Sequence, residues 1–502
     1  MPSTTFAGGA LRVSVPESYQ ATRAPDGGHR GLPGEPGYEA VVSKDTLLTV
    51  LRDDELLLVE RVDLTPRHDR DLDDATAPTG PGTVTLAVDV AADEDAVVLL
   101  ERDGVYSWHL PTHPKGRTRG LDKHTATFEI DVQPVVADPG RHDRGLIAHL
   151  VQGVVQAIVF TFVAPAVLGK VVTKLEENVR TGLVHLKSEQ VSEWEPFETL
   201  DELHLPTNRP TRILLFVHGT FSSTVGGFGA LALGVAGQVF LANSVHTYDA
   251  VIGYDHKTLS LDPRQNAADL IERLSRHPAS GGVTIDIVTH SRGGLTTRAF
   301  VEEVLPQSNW KAVVDKIVFV AATNGGTHLA DPERWGDLVD LYTNLGAVAA
   351  RALALLPGAA PVVVVVGGAL RGIAAFVKYL VSYAAQGHEV PGLAAMMPTS
   401  PFVKTINTFQ PGQPAPGTHW FVVSSNFHVT LFDDSHHPPE FPRELAVKLA
   451  EGFIDQLFKG DNDLVVDQAS MSAIGLPGDH YVADTLDFGT NDEVYHGNYF
   501  SQ

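Results

Sequence analysis

Thr289-His290-Ser291-Arg292-Gly293-Gly294 decides the fold of this 502-residue chain. The apolar run Val283 to Val288 reads as a buried strand, and it runs into a serine flanked by small residues just before a helix-forming segment. A serine on so sharp a strand-to-helix turn has a strained backbone and a hydroxyl raised above the sheet edge. This nucleophile elbow tolerates little bulk two positions to either side. Gly293 meets that need, while Thr289 is larger than the glycine usual there. A serine at such a junction also serves as a helix N-cap, so the elbow needs support from elsewhere in the chain.

That support lies upstream. Arg212-Ile213-Leu214-Leu215-Phe216-Val217 reads as a second buried strand, ending in His218-Gly219-Thr220-Phe221-Ser222-Ser223. An enzyme that passes an acyl group through a serine must hydrogen-bond the oxyanion of its tetrahedral intermediate. Backbone N–H groups just after such a turn, and just after the nucleophile, form the required pair. Thr220 and Arg292 are the expected oxyanion-hole donors. A strand ending in a glycine turn is common by itself, and the two motifs together carry the reading.

From about Pro210 onward the chain resembles the α/β-hydrolase superfamily, and within it the lipase-like serine hydrolases: bacterial lipases and related acyl hydrolases. Asp286 to Leu295, followed by Arg298, is similar to their strand, elbow and helix; Asn266-Ala267-Ala268-Asp269-Leu270 is similar to the helix before that strand. Ile317 to Ala321 and Thr323 to Asp331 resemble their next strand and loop, and Met397 to Phe402 resembles the segment returning from their lid. The resemblance implies an α/β-hydrolase fold, a mostly parallel sheet with helices on both faces. It also implies a helical lid insertion, placed at 335–397, and a triad in the chain order Ser, Asp or Glu, His. Gly460-Asp461-Asn462-Asp463-Leu464-Val465-Val466 is similar to the lipase Asn-Asp-Gly-x-Val loop and places Asp463 as the acid, with Leu464 where glycine is expected. Asp461 and Asp467 remain rivals. Val494 to Phe500 supplies His496 as the base, last in the required order, with His480 as its rival. Phe221 and His290, beside the oxyanion turn and the nucleophile, are expected to contact substrate.

The chemistry implied is hydrolysis of a carboxylic ester through an acyl-enzyme on Ser291, with lipid-like acyl substrates, no cofactor and no metal. The triad specifies acyl transfer and leaves the leaving group open, so an amide, thioester or polyester is the alternative substrate class. From a different class, a non-catalytic partner- or membrane-binding protein on the same fold is the other alternative.

The rest of the chain sets limits. With 37 Lys and Arg against 61 Asp and Glu the formal net charge is −24, which disfavours nucleic acid and anionic membrane surfaces as partners. The absence of cysteine excludes disulfides, thiolate metal sites and cysteine nucleophiles, and fits a reducing compartment. The first residues lack a basic patch followed by a long apolar run, and the expected location is cytoplasmic.

Three segments are expected: a β-rich sandwich or barrel at 1–140, an apolar helix and linker at 141–209, and the hydrolase region at 210–502. The first rests on the short β-prone runs Leu47–Leu51, Glu55–Val62, Val84–Val90, Val97–Glu101, Val105–Leu110 and Thr125–Val132. Ala24 to Tyr38, rich in Gly and Pro, reads as a loop. Gly145 to Gly169 carries no Asp, Glu, Lys or Arg and reads as a buried helix, with a membrane span as the less favoured reading. Arg67 to Asp74 and His436-His437-Pro438-Pro439-Glu440 read as solvated loops rather than metal sites.

Overall fold

The computed structural model describes residues 2–25, 47–52, 56–67, 82–112, 123–132, 154–164, 176, 179–354, 360–383, 390–409, 417–428, 458, 460–476 and 479–502. The loop expected at 24–38 lies almost wholly outside these residues. So do the acidic run after Arg67 and the segment His436 to Glu440.

Two antiparallel sheets come first. One has the order β1 (Ser3–Phe6), β2 (Leu11–Ser14), β5 (Thr83–Ala91), β8 (Lys123–Asp131). The other has the order β3 (Tyr19–Arg23), β4 (Leu57–Pro66), β9 (Val155–Val163), β6 (Glu94–Arg102), β7 (Val105–His109). Side chains alternate across a strand, and here both faces of the second sheet are covered. Val98 and Leu100 of β6, with Ala157 and Val159 of β9, join Leu86, Val88, Phe128 and Ile130 of the first sheet in one core. Val97, Leu99, Ile158, Phe160 and Phe162 point the other way, into the main core of the molecule.

This double burial corrects two expectations. The segment expected to be a buried helix contains β9, in the middle of the second sheet. A strand buried on both faces reads as an unbroken apolar run, which periodicity cannot tell from a helix. The boundaries move accordingly: the antiparallel strands continue to Val163, and the third sheet begins at Gly182, inside the stretch assigned to a linker. Leu47 to Leu51, expected as a strand, is helical. Leu47, Leu48, Val50 and Leu51 fall on one face at a period of 3.6 and bury into the main core. Among the described residues no single helix is long and apolar enough to cross a membrane; a pair bent by 109°, Thr224–Ala232 with Val235–Thr247, matches a span in length and composition alone.

The third sheet positions the site. It comprises β10 (Gly182–Leu186), β11 (Trp194–Phe197), β12 (Thr211–Val217), β13 (Ala250–Asp255), β14 (Val283–His290), β15 (Ala312–Val320), β16 (His419–Phe427) and β17 (Val482–Asn491). Its order is β11-β10-β13-β12-β14-β15-β16-β17, with every pair from β13 to β17 parallel and the β10 pairings antiparallel. From β12 the chain passes to β13 on one side and later to β14 on the other, so the winding direction reverses at β12. A crevice opens at the carboxyl ends of strands at such a switch point, where ligands bind in open α/β sheets. The register Val217↔Thr289 puts the ends of β12 and β14 side by side, and with them the two motifs that opened the sequence.

Helices flank these strands. α1 (Pro263–Leu274) begins with Asp262 accepting from the Gln265 N–H and Gln265 reciprocating, with Pro263 at the first position. α2 (Gly293–Arg298) leaves the elbow, and α3 (Trp335–Ala354) and α4 (Ala360–Tyr383) pack on the main core. At the end of α2, Arg298 is wholly buried. Its Nε donates to Glu302 at 2.7 Å, and its other nitrogens donate to Ile406 O and to Asn407 Oδ1. Removing one member of a buried ion pair strands the other charge, so Glu302→Ala should cost about 3 kcal/mol of stability, read from the urea midpoint.

Candidate active site

Ser291 sits at the tip of the β14-to-α2 turn with φ +55°, in the left-handed region that a serine seldom adopts. The turn is held by Ser291 N–H donating to Val320 O at 3.0 Å and by Gly294 N–H donating to Ser291 O. It also demands the neighbouring glycine. A β-carbon on Gly219 would fall 2.6 Å from the Ser291 Cβ and 3.2 Å from His290 O, so the His-Gly turn approaches the serine only because residue 219 has no side chain. Gly219→Ala should therefore displace the serine. A shift of about 1 Å costs roughly 100-fold in a positioned reaction, and we expect at least that loss in labelling of Ser291 by a fluorophosphonate.

Asp463 and His496 meet although 33 residues separate them in sequence. His496 Nδ1 lies 2.9 Å from Asp463 Oδ2, both side chains are buried, and a backbone bond from His496 N–H to Asp463 O closes the contact. A carboxylate in this place only accepts, so the Nδ1 proton belongs to His496 and Nε2 is left with its lone pair. The rest of the carboxylate is occupied as well: Oδ1 accepts from the N–H groups of Val465 and Val466, and Oδ2 accepts from the Tyr499 hydroxyl at 3.2 Å. Burial beside Asp463 raises the Tyr499 pKa, so this phenol stays a donor. Among the rivals, Asp461 and His480 are exposed, and Asp467 starts the short helix Gln468–Met471.

Leu464 has φ +84°, which accounts for the glycine usual at that position. Its side chain is buried in the main core. Burying a leucine contributes about 2 kcal/mol, comparable to the ~1–2 kcal/mol of left-handed strain.

Thr220 and Arg292, the expected oxyanion donors, flank the Ser291 side. Among the described residues no acceptor is bonded to either backbone N–H. The Arg292 side chain points away into the interior, where Nη2 donates to Leu261 O; desolvation brings its pKa down to about 10. Beneath the His-Gly turn, His218 Nδ1 donates to Gly219 O at 2.9 Å and its Nε2 accepts from the His256 N–H. The two imidazoles stack at 4.2 Å, and burial lowers both pKa values, so they are neutral struts for the turn.

Of the two expected substrate contacts, Phe221 (φ +55°) lies beside the site with its ring edge-on to Tyr342 at 5.2 Å. His290 lies beside the histidine of the pair. Its ring packs on His496 at 4.8 Å and on Phe500, and its Nε2 bonds His496 O at 3.0 Å, so it braces the histidine loop from behind.

Three neighbours carry no sequence signal. Tyr342 on α3 brings its ring beside the site, 6.5 Å from the His496 ring, and burial raises its pKa. Tyr499 joins Asp463. Glu176 inserts its carboxylate among the N–H groups of Thr258, Leu259 and Ser260, and Thr258 Oγ1 accepts from Phe221 N–H. Among the described residues no group of three or more His, Cys, Asp or Glu is placed to hold a metal ion.

A parallel-centred sheet that reverses at β12, an elbow serine after the middle strand, and an Asp–His pair on later loops in that chain order define an α/β-hydrolase. The chain belongs to the DUF7379 family, whose model, described as a domain of unknown function, matches residues 181–502. A second model, DUF7362, likewise described as a domain of unknown function, matches residues 8–162.

No curated protein matches the chain in sequence. Among solved structures, phospholipase PlaB from Legionella pneumophila is 14% identical over 53% of this chain and 45% of its own, with a TM-score of 0.33. The match thus spans less than half the length of that phospholipase chain. Lipase 1 from Pelosinus fermentans is 12% identical over 59% of this chain and 94% of its own (TM-score 0.33). The peroxisomal α/β-hydrolase Lpx1 from Saccharomyces cerevisiae is 11% identical over 59% and 74% (TM-score 0.28).

Proposed function

We propose that the protein is a serine hydrolase of carboxylic esters, with Ser291, His496 and Asp463 as its triad. The observation that carries this reading is the buried Asp463–His496 pair, Nδ1 against the carboxylate and Nε2 without a hydrogen-bond partner among the described residues, together with a strained elbow serine. His496 Nε2 takes the Ser291 proton as Oγ attacks the acyl carbon, and the oxyanion forms against the N–H groups of Thr220 and Arg292. The imidazolium, steadied by Asp463, then hands its proton to the departing alkoxide. Water, deprotonated by the same nitrogen, attacks the acyl-enzyme and regenerates Ser291 while releasing the acid.

Acyl chains of a lipid-like substrate suit the surroundings. Phe221, Tyr342, Phe376 and Trp335 form a connected aromatic cluster beside Ser291, in which methylenes gain about 0.8 kcal/mol each on burial. Within the segment 335–397, expected as the lid, α3 and α4 supply three of these rings, and we propose that they cover the site. We further propose that residues up to Val163 form a β-rich unit serving the hydrolase region, and that the protein acts in the cytoplasm.

A fluorophosphonate probe, followed by p-nitrophenyl esters of increasing acyl length, tests the proposal. Labelling and a rate optimum at medium or long chains are expected. A wild type that neither labels nor turns over any ester overturns the hydrolase reading, and an optimum at acetate overturns the lipid-like one.

A further inference from the structure

The loop from His256 to Leu261, between β13 and α1, grips the His-Gly turn and the elbow at three points. His256 N–H donates to His218 Nε2, Phe221 N–H donates to Thr258 Oγ1 at 3.3 Å, and Arg292 Nη2 donates to Leu261 O at 2.6 Å. The first two bonds hold the residues on either side of Gly219-Thr220, and the third anchors the residue after the serine. Both expected oxyanion donors, Thr220 and Arg292, are thus tied to one loop.

That loop is itself built around a single carboxylate. Glu176, buried ahead of β10, accepts at Oε1 from the N–H groups of Thr258 (2.6 Å) and Leu259 (3.0 Å) and from the Thr258 hydroxyl (3.2 Å). At Oε2 it accepts from the Ser260 N–H (2.8 Å) and hydroxyl (2.6 Å). The other side of the loop is closed as well. Leu259 O accepts from Gly392 N–H at 2.8 Å, and a β-carbon on Gly392 would fall 1.9 Å from Thr258 O. The carboxylate also sets a direction: it only accepts, so the Thr258 hydroxyl gives its proton to Glu176 and presents a lone pair to Phe221 N–H. Phe221, with φ +55°, has a left-handed backbone that persists only where its surroundings hold it.

We propose that Glu176 is a positioning residue for the oxyanion hole, fixing the Thr220-Phe221 turn through Thr258, and Arg292 through Leu261, relative to Ser291. This deepens the serine-hydrolase reading and rests on it. Glu176 acts through the loop and not on the substrate. Donors held in this way need no rearrangement when the oxyanion forms.

Glu176→Gln keeps the shape of the side chain. Both carboxylate oxygens face N–H groups, however, so the new amide nitrogen opposes one of them whichever way it turns. Loss of an oxyanion donor costs roughly 100-fold or more, and a displaced turn should cost about 100-fold in turnover of a p-nitrophenyl ester. The loss should fall in kcat with KM little changed, because the donors bind the transition state more tightly than the ester. Fluorophosphonate labelling of Ser291 should slow in step yet still run to completion. A variant that is merely unstable would label only its folded fraction, at the wild-type rate, so rate and end point separate positioning from folding.

Thr258→Val and Thr258→Ser decide the matter if Glu176→Gln does not fold. Valine leaves the loop N–H groups on Glu176 and removes the acceptor of Phe221 N–H, which should lower kcat about tenfold, the equivalent of one lost hydrogen bond. Serine, which returns the hydroxyl, should recover most of that rate. Wild-type kcat in folded Glu176→Gln, or in Thr258→Val when the Glu176 variant does not fold, overturns the inference, as does a change confined to KM. A wild type that labels at Ser291 in that case leaves the hydrolase reading standing. If the wild type neither labels nor turns over any ester, that reading falls and this inference with it.

Discussion

Ser291→Ala should lower ester turnover and fluorophosphonate labelling by about 10⁶-fold, to the level set by binding and oxyanion stabilisation alone. The substitution takes away only the oxygen that would form the acyl-enzyme. Alanine accepts the strained backbone about as poorly as serine does, so the turn, with its bonds to Val320 and Gly294, should keep its shape. Melting temperature should stay within a few degrees of wild type. The decisive comparison is between variant and wild type purified side by side, with intact-mass detection of the phosphonyl adduct. An adduct on the alanine variant would place the nucleophile elsewhere and remove the basis for the whole site.

Asp463→Asn is expected to reduce kcat by about 10⁴-fold while leaving the fold intact. The geometry dictates which way the new amide faces. Two backbone N–H groups, from Val465 and Val466, point at the Oδ1 position and require an acceptor there, so the asparagine oxygen stays with them. Its NH₂ must then face His496 Nδ1, which can meet a donor only by giving up its own proton. The imidazole proton moves to Nε2, and the nitrogen facing the serine no longer accepts. Tyr499 loses its acceptor as well. A kcat/KM profile across pH, together with the His496 ring proton resonances, distinguishes a wrong tautomer from a displaced ring. Near-wild-type turnover in this variant would assign the acid to another residue.

Much of the third sheet was legible because its signals are local. Apolar runs ending in His218-Gly219 and His290-Ser291 announce strands that stop at tight turns, and steric limits at Gly219 and Gly293 tie those turns to one geometry. The choice among Asp461, Asp463 and Asp467 was open in the sequence. It depends on which side chain the loop turns inward, and that follows from N–H groups of Val465 and Val466 that no residue pattern advertises. The contact of His290 with His496 joins residues 206 positions apart, which no local pattern announces. β9 misled because Ala157, Ile158, Val159 and Phe160 are all buried, so the alternation that betrays a strand is absent. Tyr342 had no motif. Its position depends on α3 lying across the site, and α3 in turn depends on contacts with Tyr106 and Trp108, more than 200 residues earlier.

The second antiparallel sheet, covered on both faces, bears on how the molecule comes apart. Val97, Leu99, Ile158, Phe160 and Phe162 have no solvent side to retreat to; lifting the sheet from α3 and α4 would bare its apolar face and theirs at once. Surfaces so matched melt as one. Heat should take both regions in a single cooperative transition, and a chain begun at residue 181, where one family model starts, would carry a raw hydrophobic wound prone to aggregation. The regions matched by the two family models are expected to unfold together.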